Sequence, residues 1–181
     1  MKNGSTIFLL VGQRGAGKTT FAQKVVQVQP EISFINRDEI CENLYNTSYF
    51  NPYWHSPKRP TQLIEKLLVE RVSNEPECKI ILEFWSPTSG NRKGLIQWLQ
   101  KLGISRVVAL YFTTPLELVD VWFWEKEDVL KDLKARQAGD NSSKTSQSDD
   151  YHMFHFSAQD IDKEGFAEVI RVDPTKPLIM L

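Results

Sequence analysis

The sequence predicts an α/β protein with an open parallel sheet of about five strands. Short apolar runs alternate with segments of helical periodicity along the 181-residue chain. The first run, residues 7–11, has no polar alternation, as expected of a strand that helices cover on both faces. These patterns, and a length suited to one hydrophobic core, predict a three-layer sandwich in a single domain, residues 1–181.

Two strand–helix units are predicted in the first quarter of the chain. Residues 18–27 are expected to form a helix, because Phe21 and Val25 fall on one face at helical spacing. The apolar run 32–35 predicts the second strand. Asn36, with an acid three residues later, is the expected N-cap of the helix that follows.

The middle of the chain continues this alternation. Residues 46–60 contain three prolines and are predicted to be a loop. A helix is predicted at 61–72, where Ile64 and Leu68 share one face. Two apolar strands and the helix between them are predicted at 79–84, 106–112 and 91–102.

The last third contains one long helix and one strand. Thr114 as cap, Pro115 at the first helical position and Glu117 as reciprocal acid predict a helix over 115–137. Residues 139–150 are polar and rich in serine, which predicts a loop. The apolar run 168–172 predicts the final strand.

Composition and charge restrict the functional class. A hydrophobic fraction of 41% and a charged fraction of 25% exclude a disordered chain. The formal net charge of -1 excludes binding of nucleic acid by bulk charge, but it allows a local basic groove. Cys41 and Cys78 form no CxxC pair, and no apolar segment could span a membrane. We therefore expect a cytoplasmic protein without a zinc framework.

The turn after the first strand is a complete phosphate-binding loop of the form GxxxxGK[ST], between a strand and a helix. Its glycines allow backbone N–H groups to surround a phosphate, Lys18 can reach the β- and γ-phosphates, and Thr19 can bind Mg²⁺. An accidental glycine-rich turn is the alternative, and the position of the motif argues against it. The predicted nucleotide-binding residues are Gly12, Gln13, Arg14, Gly15, Ala16, Gly17, Lys18, Thr19 and Thr20. ATP is the default ligand over GTP, since no guanine-reading motif is present.

A second candidate group follows the second strand. Asp38 could accept the proton of an acceptor hydroxyl, and Arg37 could hold an acceptor phosphate or stabilise charge on the transferred group. The structural alternative is that Asn36 caps a helix and that Asp38 and Glu39 are first-turn acids. The phosphate loop favours a function for Asp38.

The segments 12–20, 36–38 and 81–93 resemble the polynucleotide 5′-hydroxyl kinases and related P-loop kinases, a group that includes zeta-toxin-like kinases. Residues 160–173 resemble the closing segment of that family. The resemblance implies a P-loop kinase fold, Mg-ATP as donor, Asp38 as general base and a lid that carries an arginine. It also implies a metal-ordering acid at the end of the third strand, which here is Glu83.

The chain departs from the family pattern at three places. Glu83 stands where the family usually has aspartate, and Phe84 and Trp85 replace small polar residues. Cys41 occupies a position that is often arginine. Arg92 and Lys93 match the family's dibasic start of the next helix. The aromatic pair favours a small acceptor over the nucleic-acid end that the family usually takes.

The lid is predicted at about 134–150, after the long helix. Arg136 is the candidate lid arginine, expected to cover the γ-phosphate, with Lys134 second and Lys144 as a further contributor. Residues 113–140 contain seven acidic and four basic residues, whereas a family lid normally carries more arginine. An ordinary solvated helix charge is the alternative interpretation of Arg136.

Several aromatic and histidine residues have open assignments. Core packing is the preferred interpretation of Trp122 and Trp124, whereas Trp85 is equally compatible with ligand contact. The loop 51–60 mixes aromatic and basic residues and is interpreted as a stiff surface loop rather than a nucleic-acid contact. His152 and His155 are expected to be satisfied polar residues.

These observations lead to three functional hypotheses. The first is an ATP- and Mg²⁺-dependent kinase of the polynucleotide 5′-hydroxyl type. The second is a small-molecule kinase on the same fold, acting on a metabolite or nucleoside. The third is a nucleotide-binding sensor module with little transfer activity.

Overall fold

The computed structural model describes residues 3–46, 58–125 and 148–181. Within these ranges the predicted α/β architecture is confirmed. The strands are β1 (Asn3–Val11), β2 (Ile32–Asn36), β3 (Lys79–Glu83), β4 (Ile104–Phe112) and β5 (Glu168–Val172). The helices are α1 (Lys18–Val28), α2 (Arg37–Tyr45), α3 (Lys58–Asn74), α4 (Ser89–Lys101), α5 (Leu116–Trp124) and α6 (Ser148–Ser157), and a 3₁₀ turn spans Ile161–Lys163.

The five described strands form one parallel sheet in the order β2-β3-β1-β4-β5. β1 is central, and Leu9 pairs in register with Leu82 of β3 and Ala109 of β4. Because all strands run in one direction, the turns that follow them lie along the same edge of the sheet. The phosphate loop after β1, the start of α2 and the segment after β3 therefore share one edge.

The apolar run of β1 is explained by burial on both faces. Ile7 and Leu9 belong to the cluster that α3, α4 and α6 cover. Phe8 and Leu10 belong to the opposite cluster, which α1 and the C-terminal segment cover. A strand between two helical layers has no solvent-facing positions, so polar residues need not alternate along it. The predicted three-layer sandwich is thus confirmed.

Three predicted helix starts differ from the structure. Helix α3 begins at Lys58, inside the loop predicted at 46–60, and not at residue 61. Thr114 does not cap α5; its hydroxyl donates to the Ala16 carbonyl oxygen at 2.8 Å, and Pro115 is the N-cap residue without a side-chain bond. The tertiary bond to the phosphate loop thus replaces the local cap. Helix α4 begins earlier than expected, because Thr88 and Asn91 form a capping box there.

The segment after α5 contains a helix that the sequence did not predict. α6 begins at Ser148, so the loop predicted at 139–150 ends inside a helix. Only Phe154 of α6 is buried, while Met153 and Phe156 are exposed. The rest of the predicted helix 115–137 lies outside the described residues.

Candidate nucleotide and phosphoryl-transfer site

The phosphate loop has a backbone that requires glycine at two positions. Gly15 and Gly17 have φ of 78° and 82°, in the left-handed region. A Cβ at Gly15 would lie 2.5 Å from the Val119 carbonyl oxygen, and one at Gly17 would lie 3.1 Å from the Trp122 ring. The loop therefore packs directly against α5, and its shape is fixed by tertiary contacts as well as by sequence.

Helix α1 presents the positive end of its dipole to the loop. Gly17 is its N-cap residue and supplies no side-chain bond, and its first turn contains no acid. The first backbone N–H groups of a helix have no partner within the helix, and they favour an anion. These features fit a bound phosphate.

The Gln13 side chain also fits a ligand that forms hydrogen bonds. It is buried, and neither its amide oxygen nor its amide nitrogen has a partner among the described residues. A buried amide without a partner lowers stability by about 1–3 kcal/mol. A polar ligand in the loop would offer such a partner.

Three polar side chains meet beside the loop. The Thr19 hydroxyl donates to Glu83 Oε2 at 2.9 Å, and Lys18 Nζ lies 4.0 Å from Glu83 Oε1. Lys18 Nζ also donates to the Gln13 carbonyl oxygen at 2.8 Å. A hydroxyl and a carboxylate side by side are oxygen donors that suit a hard divalent cation. The geometry therefore fits Mg²⁺ next to a bound phosphate.

A cavity of about 540 Å³ adjoins the loop. Its lining includes Trp122 of α5 and three residues that follow β5, namely Pro174, Lys176 and Leu178. The prediction that Trp122 is a core residue is wrong, since Trp122 is half-buried and lies on the cavity wall.

The sequence analysis did not predict that residues after β5 line this cavity. The rule that ligands bind beyond the carboxyl ends of parallel strands was the available signal for them.

The candidate base lies at the start of α2. Asn36 caps this helix by accepting the Asp38 N–H at 2.9 Å, so the predicted cap is confirmed. In the sheet, Asn36 pairs in register with Glu83. The start of α2 therefore lies next to the carboxylate that contacts Lys18 and Thr19. The Asp38 side chain is 61% exposed, and Arg37 Nη1 lies 3.6 Å from its Oδ1. Asp38 is thus accessible to an acceptor.

The two aromatic residues after β3 each contact an arginine. The Arg37 guanidinium lies 5.8 Å from the centre of the Phe84 ring, and the Arg14 guanidinium lies 5.4 Å from the centre of the Trp85 ring. Both distances are within cation–π range. The segment that follows β3 therefore combines aromatic side chains with nearby positive charge.

Arg92, which matched the dibasic motif, is not exposed at this edge. Its guanidinium is fully buried and bonds to both carboxylate oxygens of Glu164 at 2.6 Å. It also donates to the carbonyl oxygens of Ser86, Pro87 and Ser157. Arg92 consequently anchors the segment after β3 and the end of α6.

His155 forms a hydrogen-bonded pair with Tyr111 of β4, through its Nδ1 and the phenol oxygen. Burial lowers the pKa of His155, and the nearby His152 lowers it further. Burial raises the pKa of Tyr111. The expectation that His155 is a satisfied polar residue agrees with this contact.

The predicted lid falls in residues that the structure does not describe. Arg136, Lys134 and Lys144 lie outside the described residues, as does the loop segment 51–57. Trp124 is half-buried, not in the core, and its indole N–H donates to Asp120.

The described ranges contain no group of three or more histidine, cysteine, aspartate or glutamate residues suited to a metal ion. No described helix is long and apolar enough to cross a membrane. Cys41 and Cys78 are free and buried.

The family of the chain follows from a match of residues 7–149 to the AAA domain family model. The match covers well over half of the chain, so the protein belongs to this family. The complete phosphate loop agrees with this family and makes the chain a P-loop protein. No curated protein matches the sequence.

Solved structures with the same fold include a chain of an RNA repair complex, an RNA kinase and a shikimate kinase. A chain of the Pnkp1/Rnl/Hen1 RNA repair complex is 17% identical, with a TM-score of 0.61, and the match covers 88% of this protein and 47% of that chain. A fungal RNA kinase is 16% identical, with a TM-score of 0.52, and the match covers 98% of this protein and 40% of that chain. Shikimate kinase from Acinetobacter baumannii is 14% identical, with a TM-score of 0.51, and the match covers 95% of this protein and 86% of that chain. The protein thus spans less than half of either RNA-related chain.

Proposed function

We propose that this protein is an ATP- and Mg²⁺-dependent kinase that phosphorylates the 5′-hydroxyl of a nucleic acid. The observation that carries the proposal is the hydrogen bond from Thr19 to Glu83. Lys18 lies near the same carboxylate, and Asn36 pairs with Glu83 in the sheet. The hydrogen bond joins the phosphate loop to the acid that the resemblance implies. Asp38 belongs to the same edge of the sheet and is accessible.

The reaction transfers one phosphoryl group to the acceptor. ATP would supply the γ-phosphoryl group and Mg²⁺ would neutralise charge on it. The acceptor oxygen forms a bond to the γ-phosphorus, the bond between this phosphorus and the β-phosphate oxygen breaks, and the acceptor proton goes to the Asp38 carboxylate.

The other candidate residues would bind the reactants. Lys18 would neutralise the charge of the phosphates, and Thr19 and Glu83 would hold the Mg²⁺ ion and its water. Arg37 would grip the acceptor, and Arg136 would cover the γ-phosphate.

Support from the comparisons is limited to the fold. Some proteins with this fold are described as an RNA kinase or as part of an RNA repair complex, and another as a shikimate kinase. A small-molecule acceptor is therefore the second candidate.

The test offers both acceptor classes at once. Protein, Mg²⁺ and γ-labelled ATP are incubated with 5′-hydroxyl DNA and RNA oligonucleotides and with a pool of small hydroxyl metabolites. We expect label on the oligonucleotides, and a KM for them that rises steeply with salt because phosphate contacts release counterions. Label only in the metabolite pool would transfer the assignment to a small-molecule kinase, and tight ATP binding with no label would favour the sensor module.

Asp38→Asn tests the base in the same assay. Loss of a general base lowers kcat by about 10²–10⁴-fold. The matched control is Glu39→Gln, because Glu39 is also an exposed first-turn acid of α2 and makes the same charge change. Equal losses in the two variants would mean that Asp38 acts through the helix rather than as a base.

A further inference from the structure

We propose that Trp85 is the stacking surface for the base of the acceptor's terminal nucleotide, on the ring face that the Arg14 guanidinium does not cover. This inference rests on the proposed function and adds the chemical feature that selects the acceptor. Trp85 is 53% exposed, which is high for a large aromatic residue. An indole of this exposure, at the edge where acceptors bind, has surface available for a ligand.

The location of Trp85 places it close to the chemistry. It follows Glu83 by two residues, beyond the carboxyl end of β3. Arg14 belongs to the phosphate loop, and its guanidinium lies 5.4 Å from the centre of the Trp85 ring. The contact therefore links the loop that binds the donor to the surface after β3.

The segment that carries Trp85 is held in place by buried and partly buried hydrogen bonds. Arg92 donates to the carbonyl oxygens of Ser86 at 3.4 Å and Pro87 at 3.1 Å. The Ser86 hydroxyl donates to the Phe84 carbonyl oxygen at 3.2 Å, and the Phe84 ring packs 6.0 Å from the Trp98 ring. An exposed aromatic residue on a fixed backbone loses little entropy when a ligand binds, so it is well suited to stacking.

The chemistry of this surface suits a nucleotide better than a polyol. Stacking on an aromatic ring tolerates any base, because every base has a π-face. A guanidinium over the other face of the ring can also attract a phosphodiester. A polyhydroxylated acceptor would need several hydrogen-bonding groups, and between them the side chains of Phe84 and Trp85 offer a single N–H donor. The combination of ring and charge matches the terminal unit of a nucleic-acid chain.

The experiment compares two acceptors that differ only in one base. One is a 5′-hydroxyl oligonucleotide, and the other carries an abasic residue at its 5′ end. Each is phosphorylated by the wild type, Trp85→Ala and Trp85→Phe. Phe156→Ala on α6 is the control, since Phe156 is an exposed aromatic residue on another element.

Loss of stacking is expected to raise the oligonucleotide KM. Trp85→Ala should raise it roughly 5- to 150-fold, with kcat and the ATP KM nearly unchanged. Trp85→Phe should recover much of the loss, and Phe156→Ala should have no effect. For the wild type, the abasic acceptor should show a similar rise, and Trp85→Ala should no longer distinguish the two acceptors. Equal KM values of the wild type for the two acceptors would overturn the inference.

An equilibrium measurement separates this inference from the proposed function. The chain contains five tryptophans, so the fluorescence of the wild type minus that of Trp85→Phe isolates the signal of Trp85. Base-dependent quenching of this signal without any phosphorylation would retain the stacking surface and reject the kinase proposal. Phosphorylation of both acceptors without base-dependent quenching would reject the stacking surface and retain the kinase.

Discussion

Arg92 and Glu164 form a buried ion pair with two hydrogen bonds of 2.6 Å, although 72 residues separate them in the chain. The Arg92 side chain is fully buried and that of Glu164 is 2% exposed. The pair joins the start of α4 to the segment before β5. Since Arg92 also bonds to the backbone after β3, this pair supports the edge of the sheet where the candidate site lies.

Removal of either partner should destabilise the protein strongly. Arg92→Ala or Glu164→Ala leaves one charge buried without its partner, and such changes lower the free energy of unfolding by about 3–5 kcal/mol. Denaturant unfolding measures the effect. The matched control is Arg106→Ala, because Arg106 forms a bond of the same kind with Glu168 but both side chains are 50% exposed. That change should lower stability by less than about 1 kcal/mol, and comparable losses in the two pairs would contradict the prediction.

The sequence predicted the fold well because its signals are local. The apolar run of β1 and the spacing of the phosphate loop are each readable within a few residues. Arg92 lacked such a signal, because its partner Glu164 is remote in the chain and a dibasic helix start is usually solvated. Helix α6 was missed because its apolar residues do not segregate to one face, since Phe154 is buried but Met153 and Phe156 are exposed.

The Thr19–Glu83 contact gives a prediction about metal dependence. Glu83→Gln removes a charge beside Thr19, so it should lower kcat by about 10- to 100-fold and raise the Mg²⁺ concentration needed for half-maximal rate. Initial rates over a Mg²⁺ series measure both effects. Glu168→Gln is the control, since Glu168 is an exposed carboxylate at the start of β5. An unchanged Mg²⁺ dependence in Glu83→Gln would remove Glu83 from the candidate metal site.

The Tyr111–His155 pair predicts a loss of stability in mild acid. Because the folded state lowers the pKa of His155, the unfolded state binds a proton more readily once the pH falls below about 6.5. The stability contribution is present above that pH and is lost as the pH falls through the lower pKa of the folded state.

His155→Gln should therefore reduce the decline of unfolding free energy between pH 7.5 and 5, as measured by denaturant unfolding at several pH values. The groups around His155 are His152 and Tyr151 on its own helix and Tyr111 on β4, with Arg92 and Arg171 acting on Tyr111. His152→Gln should flatten the pH profile less, because His152 lowers the pKa of His155 less than burial does. Identical profiles for the wild type and His155→Gln would show that the pair does not titrate in this range.

Gly15 and Gly94 give opposite predictions for the same substitution. Gly15→Ala places a methyl group 2.5 Å from the Val119 carbonyl oxygen on a backbone with φ of 78°. It should lower the free energy of unfolding by more than about 1–2 kcal/mol and weaken ATP binding, because the loop must move away from α5. Gly94 lies within α4 with nothing within 4 Å of a new Cβ, so Gly94→Ala should stabilise the protein by about 0.5–1 kcal/mol. Denaturant unfolding and ATP titration of both variants measure these effects. Unaltered ATP affinity in Gly15→Ala would mean that the contact with α5 does not fix the shape of the loop.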